Sequence, residues 1–310
     1  MVVNRNGVLL PRALRPGARI ALVAPAGPLP ADRIERSAAR CRTLGLEPVV
    51  YPSAAARRGF LAGTDAERLG DLQAAFDDRS IDGIWALRGG YGTLRILDGL
   101  DLSRQGQDPV PFIGFSDNTT IHVRHSGMGV VSFHGPHAGG PFPSETAEWF
   151  RRVLFLDEPA GTLPTRPEDP APRTLVAGAV EARLVGGNLA MVCSLCGSKD
   201  APAARGCILV LEDVAEPAYR VDRMLVQLAR AGVLKGVVGL ALGRFTDNSD
   251  EDDQVGSVLA ELAEGLGVPA ATDLPFGHVE HNCTLPMGGM ARLDAEAGTL
   301  TLTEAAVRRA

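Results

Sequence analysis

Residues 112–118 read FIGFSDN, a short apolar run that ends on Ser116, with Gly114 two positions earlier and Asp117 and Asn118 directly after it. A serine between a buried strand and a helix can cap the helix through its hydroxyl. It can also stand on a sharp bend as a nucleophile, with backbone N–H groups aimed at the carbonyl it attacks. The second glycine of the usual G-x-S-x-G elbow is missing, so the motif alone leaves both roles open.

A second stretch bears on the choice. Residues 86–92, ALRGGYG, close a neighbouring strand-like run with three glycines in four positions. Glycine lets the backbone approach a ligand closely and turn its N–H groups toward it. The turn is either a loose connection or half of an oxyanion hole, with the N–H of Asp117 as the other half.

A serine nucleophile needs a base. The six histidines fall in three H-x-x-H pairs: His122/His125, His134/His137 and His278/His281. Such pairs can bind zinc, but no carboxylate or thiolate stands at the accompanying spacing, and no metal is expected. His122 and His125 follow the serine on its helix, where surface or partner-facing roles are expected, and His134 follows a strand. His278 differs, because residues 274–282, LPFGHVEHN, put it in a Gly- and Pro-bearing loop far along the chain. A carboxylate to orient it is offered by residues 207–217, CILVLEDVAEP, read as a buried strand ending on Glu212. An acid in that position is costly to desolvate unless something compensates, and an imidazole is one such partner. Asp213 and Glu216 read as loop solvation. The order Ser, Glu, His is not that of chymotrypsin or subtilisin, but triads are defined by geometry and not by order.

These residues need a scaffold. At 310 residues, and with roughly 150 residues per domain, two domains are expected. Hydrophobic content of 45% and charged content of 22% are ordinary for a soluble globular chain. A net charge of −6 argues against a nucleic-acid partner, which would require a concentrated basic surface. No apolar run reaches the ~18 residues of a membrane span. Residues 19–27, RIALVAPAG, are short for a signal peptide and contain Pro25, so they read as a first buried strand. Five cysteines, an odd number without framework spacing, fit free thiols in a reducing cytoplasm. Cys193 and Cys196, the single C-x-x-C, read as small buried hydrophobes.

Apolar runs at 20–26, 48–52, 81–90 and 110–116 alternate with helical periods at 31–46, 64–78 and 92–100. Strand–helix–strand alternation implies an α/β fold, a parallel sheet covered by helices on both faces. Residues 145–155 read as a closing amphipathic helix. Residues 164–173, PTRPEDPAPR, hold four prolines and no apolar face, which marks a linker. The expected division is a nucleophile domain over 1–163, a linker over 164–176 and a β-rich domain over 177–310, with a long helix at 219–234.

Together these pieces resemble the LD-carboxypeptidases and their microcin-immunity relatives, a family of serine peptidases. The resemblance runs in one order through VAPAGP (23–28), FLAGTDAERLGDL (60–72), IWALRGGYGTLRIL (84–97), FIGFSDNTTIH (112–122), LVGGNLAM (184–191), LEDVAEPAYRVDRMLVQL (211–228), GRFTD (243–247) and GHVEHNCTLPMG (277–288). It implies Ser116 as nucleophile, Glu212 and His278 as its partners, and an oxyanion hole from Gly89 or Gly90 with the Asp117 amide. It also implies an N-terminal parallel-sheet domain resembling class I amidotransferases, a smaller β-rich C-terminal domain, a homodimer, and a site between the domains. A slipped assignment to His281 or Glu216 stays open, although Gly277 before His278 and the strand end at Glu212 favour the first pair.

The implied reaction is hydrolysis of the amide between an L-centre and a terminal D-amino acid. An example is D-alanine release from murein tetrapeptides during peptidoglycan recycling in the cytoplasm, with no metal or organic cofactor. Arg88 or Asn188 would receive the free carboxylate of this small peptide. The competing expectations are a microcin-immunity-type peptidase that cleaves peptidyl or aminoacyl nucleotides, and a non-catalytic peptide-binding module. The microcin relatives carry a loop aromatic for stacking on the base; Trp85 and Trp149 sit in no such loop, which favours the murein peptide.

Overall fold

The computed structural model of the chain describes residues 2–5, 7–248 and 252–309. The first half alternates strand and helix: β1 (Arg19–Val23), α1 (Ala31–Thr43), β2 (Glu47–Val50), α2 (Asp65–Asp77), β3 (Gly83–Ala86), α3 (Thr93–Ile96), β4 (Phe112–Gly114), α4 (Thr119–Gly127), β5 (Ser132–His134) and α5 (Ser144–Phe155). These strands pair in parallel in the order β5-β4-β3-β1-β2, as the alternating pattern predicts. Both faces of the sheet are covered, so its strands need nearly continuous apolar runs. Ile20 and Leu22 enter one core with Trp85 and Phe133, while Ala21 and Val23 enter another with Phe76 and Phe112. Thr64 starts α2 with a capping box, in which its hydroxyl accepts the Glu67 N–H and Glu67 Oε2 accepts the Thr64 N–H at 2.7 Å.

The second half contributes β6 (Gly161–Thr162), β7 (Arg173–Val176), β8 (Ala179–Asn188), α6 (Leu189–Ser194), β9 (Cys207–Val214), α7 (Ala218–Arg230), β10 (Gly239–Thr246), α8 (Gln254–Leu266), β11 (Ala270–Thr272), β12 (Leu285–Met287), β13 (Met290–Asp294) and β14 (Thr299–Leu302). Among the described residues the second sheet runs β6-β14-β13-β8-β9-β10-β11-β7, eight strands against six in the first. Its centre, β8 to β11, is parallel, and α6, α7 and α8 cover one face. The second half therefore carries an eight-stranded sheet with helices on one face, a mixed α/β arrangement within the β-rich unit that was expected. Helix α8 has no counterpart among the expected elements, and α7 ends at Arg230, four residues before the expected 234.

Three strands cross the expected boundaries. Residues 173–176, assigned to the linker, form β7 and pair with β11. The short β6, from before the proline-rich segment, pairs with β14. In the other direction, β12 joins the first sheet antiparallel to β5, with Leu285 opposite His134. Buried backbone N–H and C=O groups must find partners, and these crossings supply them for the sheet edges. The two halves consequently share one core, in which Leu22, Trp85 and Phe133 meet Leu184, Ile208 and Val210.

Side chains along β9 alternate between two environments. Ile208 and Val210 face the shared core, and Leu209 and Leu211 face α6 to α8. By the same period of two, Glu212 continues the first set, toward the first sheet, and Asp213 the second. Among the described residues, no helix is long and apolar enough to cross a membrane.

Candidate active site

Ser116 has φ of +58°, a left-handed conformation that residues other than glycine rarely adopt. β4 ends at Gly114, Phe115 is extended, and at Ser116 the chain enters a single 3-10 turn that leads into α4. The bend holds because its neighbours are tied down. Asp117 Oδ2 accepts the Thr93 N–H at 2.8 Å, and the Asp117 carbonyl accepts the Thr93 hydroxyl at 2.5 Å. Asn118 Nδ2 donates to the Phe115 carbonyl at 3.1 Å. The two Thr93 bonds staple the serine bend to the start of α3, directly after the glycine turn, and the Asn118 bond closes the bend on itself. A Cβ on Gly89 would lie 3.0 Å from Ser116 Cβ and 3.1 Å from its Oγ, so any side chain there would press the serine aside by a few tenths of an ångström, and glycine lets the turn pass this close.

Glu212 is fully buried, and its Oε2 lies 2.7 Å from His278 Nδ1. β9 runs two residues past Glu212, to Val214, so the acid lies within the strand and not at its end as expected. The approach of His278 depends on Gly277, whose φ is +107° and whose Cβ, if present, would lie 2.8 Å from Glu212 Oε2. The loop is further held by the Thr246 hydroxyl, which donates to the His278 carbonyl at 3.3 Å. Burial opposes a charge on His278, but the hydrogen bond and charge of Glu212, with Asp213 and Asp247 beyond, outweigh it and raise its pKa. Burial alone would raise the Glu212 pKa; the imidazoles of His134 and His278 reverse this and hold it below the ordinary carboxylate range.

Ser116 and His278 line one cleft of about 200 Å³, together with Gly89, Gly90, Phe115 and His137. Phe115 bridges the halves, its ring centroid 4.8 Å from that of His278. Arg33 and Arg88 complete the rim, and no carboxylate is among the described residues lining the cleft. Each guanidinium is anchored on a backbone carbonyl, Arg33 on Gly139 at 2.5 Å and Arg88 on Pro28 at 3.1 Å. His137 Nε2 lies 3.0 Å from Asn118 Nδ2 and 3.1 Å from the Phe115 carbonyl. Burial, with the nearby His278, pushes the His137 pKa down to about 3, so it meets the serine bend as a neutral ring. Such a set offers a nucleophile, a base with an orienting acid, glycine N–H groups, and cationic side chains for an anion.

Ser116, Gly89, Gly90, Arg88 and His278 meet at this cleft, with Glu212 behind His278. Asn188 does not line it. Its Nδ2 donates to Asp213 at 2.8 Å and its Oδ1 accepts the Met191 N–H, so the side chain is spent on capping α6. The alternative pair lies elsewhere: His281 Nδ1 is 3.6 Å from Asp169, and Glu216 forms an ion pair with Arg220 at 2.8 Å. His122 and His125, expected at a surface, are fully buried, because α4 packs both faces into the core; they bond to the Gly114 and Ile121 carbonyls. Sequence reasoning passed over Arg33, His134 and His137. The position of His134 and His137 at the carboxyl end of a parallel strand, where ligands gather, was the available signal.

Residues 20–135 match the LD-carboxypeptidase N-terminal domain, and residues 181–293 match the LD-carboxypeptidase C-terminal domain. The chain is 40% identical over 306 residues to a putative carboxypeptidase of Streptomyces coelicolor, a match that covers 96% of this chain and 97% of that protein. It is 35% identical over 291 residues to the murein tetrapeptide carboxypeptidase of Pseudomonas aeruginosa, covering 89% of this chain and 93% of that protein. Its fold is similar to that of the microcin C7 self-immunity protein in the apo state. That match has a TM-score of 0.87 over 97% of this chain and 100% of that one, at 23% identity.

Proposed function

The chain belongs to the LD-carboxypeptidase family and is a serine-type carboxypeptidase, and on that premise we propose that it releases the terminal D-alanine of murein tetrapeptides. The observation that carries this reading is the left-handed serine in a cleft shared with a carboxylate-bound imidazole. Ser116 Oγ attacks the carbonyl of the L-centre while His278 Nε2 takes its proton. Glu212 holds Nδ1–H and keeps the ring in that tautomer. The negative oxygen of the tetrahedral intermediate is met by two backbone donors. One is the N–H of Asp117, in the first turn of a helical segment, where N–H groups have no intrahelical acceptor; the other is that of Gly89 or Gly90. His278 then gives its proton to the amine of the departing D-alanine. In the second half, water attacks the ester, its proton passes to His278, and Ser116 recovers it.

A carboxypeptidase must also recognise a free carboxylate. Arg88 and Arg33, exposed at the rim and already fixed by their backbone acceptors, fit that task. The reading places the protein in the cytoplasm, where recycled murein peptides are degraded. Cleavage of an aminoacyl or peptidyl nucleotide is less well supported. Trp85 and Trp149 are buried, with their indole N–H groups bonded to the carbonyls of Pro136 and Thr284, so neither can stack on a base.

The test is to incubate the purified protein with L-Ala-γ-D-Glu-diaminopimelate-D-Ala and, separately, with an aminoacyl sulfamoyl nucleoside, and to follow both by mass spectrometry. Stoichiometric D-alanine from the peptide, with the nucleoside intact, supports the proposal. Cleavage of the nucleoside alone overturns it.

A further inference from the structure

Glu212 has a second oxygen, and the triad does not use it. Oε1 is buried and has no hydrogen-bond partner in the structure. The atom facing it is Nε2 of His134, 3.7 Å away on a side chain that is likewise 0% exposed. Both ring nitrogens of His134 also lack partners. Two buried groups of complementary chemistry thus stand a few tenths of an ångström beyond bonding distance, each otherwise unsatisfied. Native structures rarely leave such groups unpaired.

The place of His134 in the fold adds to this. It ends β5 and lies opposite Gly114 in the parallel pairing with β4, two residues before Ser116. On its other side β5 pairs with β12, where His134 faces Leu285. His134 therefore belongs to the frame that fixes the serine, whereas Glu212 belongs to the other sheet. Its ring is enclosed by Phe115, His122 and Phe276, with centroids at 5.8, 6.1 and 6.4 Å, which leaves it little freedom to turn elsewhere.

Resting on the serine-triad reading, we infer that His134 is a positioning residue, donating from Nε2 to Glu212 Oε1 and so docking the Glu212–His278 pair onto the half that carries Ser116. With Oε2 on His278 and Oε1 on His134, the carboxylate cannot rotate about its own axis. The base is then held at a fixed height above the serine. His134 does not line the cleft, so its effect falls on turnover and not on substrate binding.

The experiment compares His134→Phe, which keeps a flat ring without a donor, with His134→Gln, whose amide nitrogen can reach the same oxygen. On the murein tetrapeptide, His134→Phe is expected to lose about 10- to 100-fold in kcat, the range of one hydrogen bond to a charged group, with KM within about twofold. His134→Gln recovers most of that loss. Wild-type kcat in His134→Phe, or equal losses in the two variants, overturns the inference. If His134→Phe does not fold, imidazole NMR of the wild-type protein decides. A protonated, slowly exchanging Nε2 on His134 that shifts in Glu212→Gln supports the bond, and one indifferent to that change refutes it. A parallel Ser116→Ala separates the two levels. An inactive Ser116→Ala beside a fully active His134→Phe removes only this inference, whereas an active Ser116→Ala removes the serine reading and this inference with it.

Discussion

The side chain that Gly277 lacks would put its Cβ 2.8 Å from Glu212 Oε2, the oxygen that holds His278. The loop can deliver the imidazole only because nothing projects there, and a φ of +107° adds a second requirement for glycine. Gly277→Ala should therefore displace the carboxylate from Nδ1. We expect kcat to fall about 100-fold or more and stability to fall by ~1–3 kcal/mol, the usual cost of a strained backbone position. Steady-state kinetics and urea denaturation check both; wild-type kcat in this variant would show that the close approach is dispensable.

Ser116 carries backbone strain that a glycine would relieve. A left-handed non-glycine residue costs ~1–2 kcal/mol, partly offset by the greater freedom of glycine in the unfolded chain. Both Ser116→Ala and Ser116→Gly should be inactive, but the glycine variant should be the more stable of the two by about 1 kcal/mol. Equal denaturation midpoints would indicate an unstrained bend.

The rate should rise with pH through the raised pKa of His278, because only the neutral imidazole can accept the serine proton. Burial lowers that pKa, while Glu212, Asp213 and Asp247 raise it to above the 6.5 of a free imidazole. Removing the nearest of these charges in Glu212→Gln destabilises the imidazolium. The acid limb of kcat/KM should then move to lower pH even as the plateau falls. A limb that moves upward, or does not move, would separate Glu212 from the titrating group.

Stability should respond to acid in a different window. His122, His125 and His137 are buried with lowered pKa values, about 4 for His125 and about 3 for His137, through burial first. Below pH 6.5 the unfolded chain takes up protons that the folded chain refuses, so stability falls as pH falls. Each such histidine contributes up to ~1.4 kcal/mol per pH unit in that interval. The raised pKa of His278 acts in the opposite sense, its contribution being present at low pH and lost above the folded value. His281, also lowered by burial, adds to the loss, while Asp213, pushed up to about 6 by burial, and the buried Asp117, also raised, act with His278. With the largest shifts on the histidine side, the melting temperature should drop between pH 6.5 and about 4, and His125→Phe should flatten the profile.

Much of the site was legible because its parts sit at strand ends and in glycine-bearing loops. The apolar run before Ser116, the glycines at 89 and 90, and the Gly277–His278 pair each carry a local signature. The strand at β1 was equally local. What could not be read was pairing between distant segments. Nothing in residues 285–287 shows that they extend the first sheet beside His134, and without that edge His134 has no visible role. Asn188 misled for the related reason that its partners, Asp213 and the start of α6, are set by register with β9. His122 and His125 looked exposed, but both rings pack on Phe112, and that of His125 also on Phe76, contacts set by how α4 lies against β4 and α2 and not by any local signature.

The most direct test of a triad shared by the two halves is a double-mutant cycle on D-alanine release with Ser116→Ala, His278→Ala and the pair combined. Groups that act as one unit lose their joint contribution when either is removed. Each single variant should fall by about 10³-fold or more, with the double variant no slower than the worse single one. Near wild-type release by Ser116→Ala, or single losses that multiply in the double variant, would contradict a serine activated by His278.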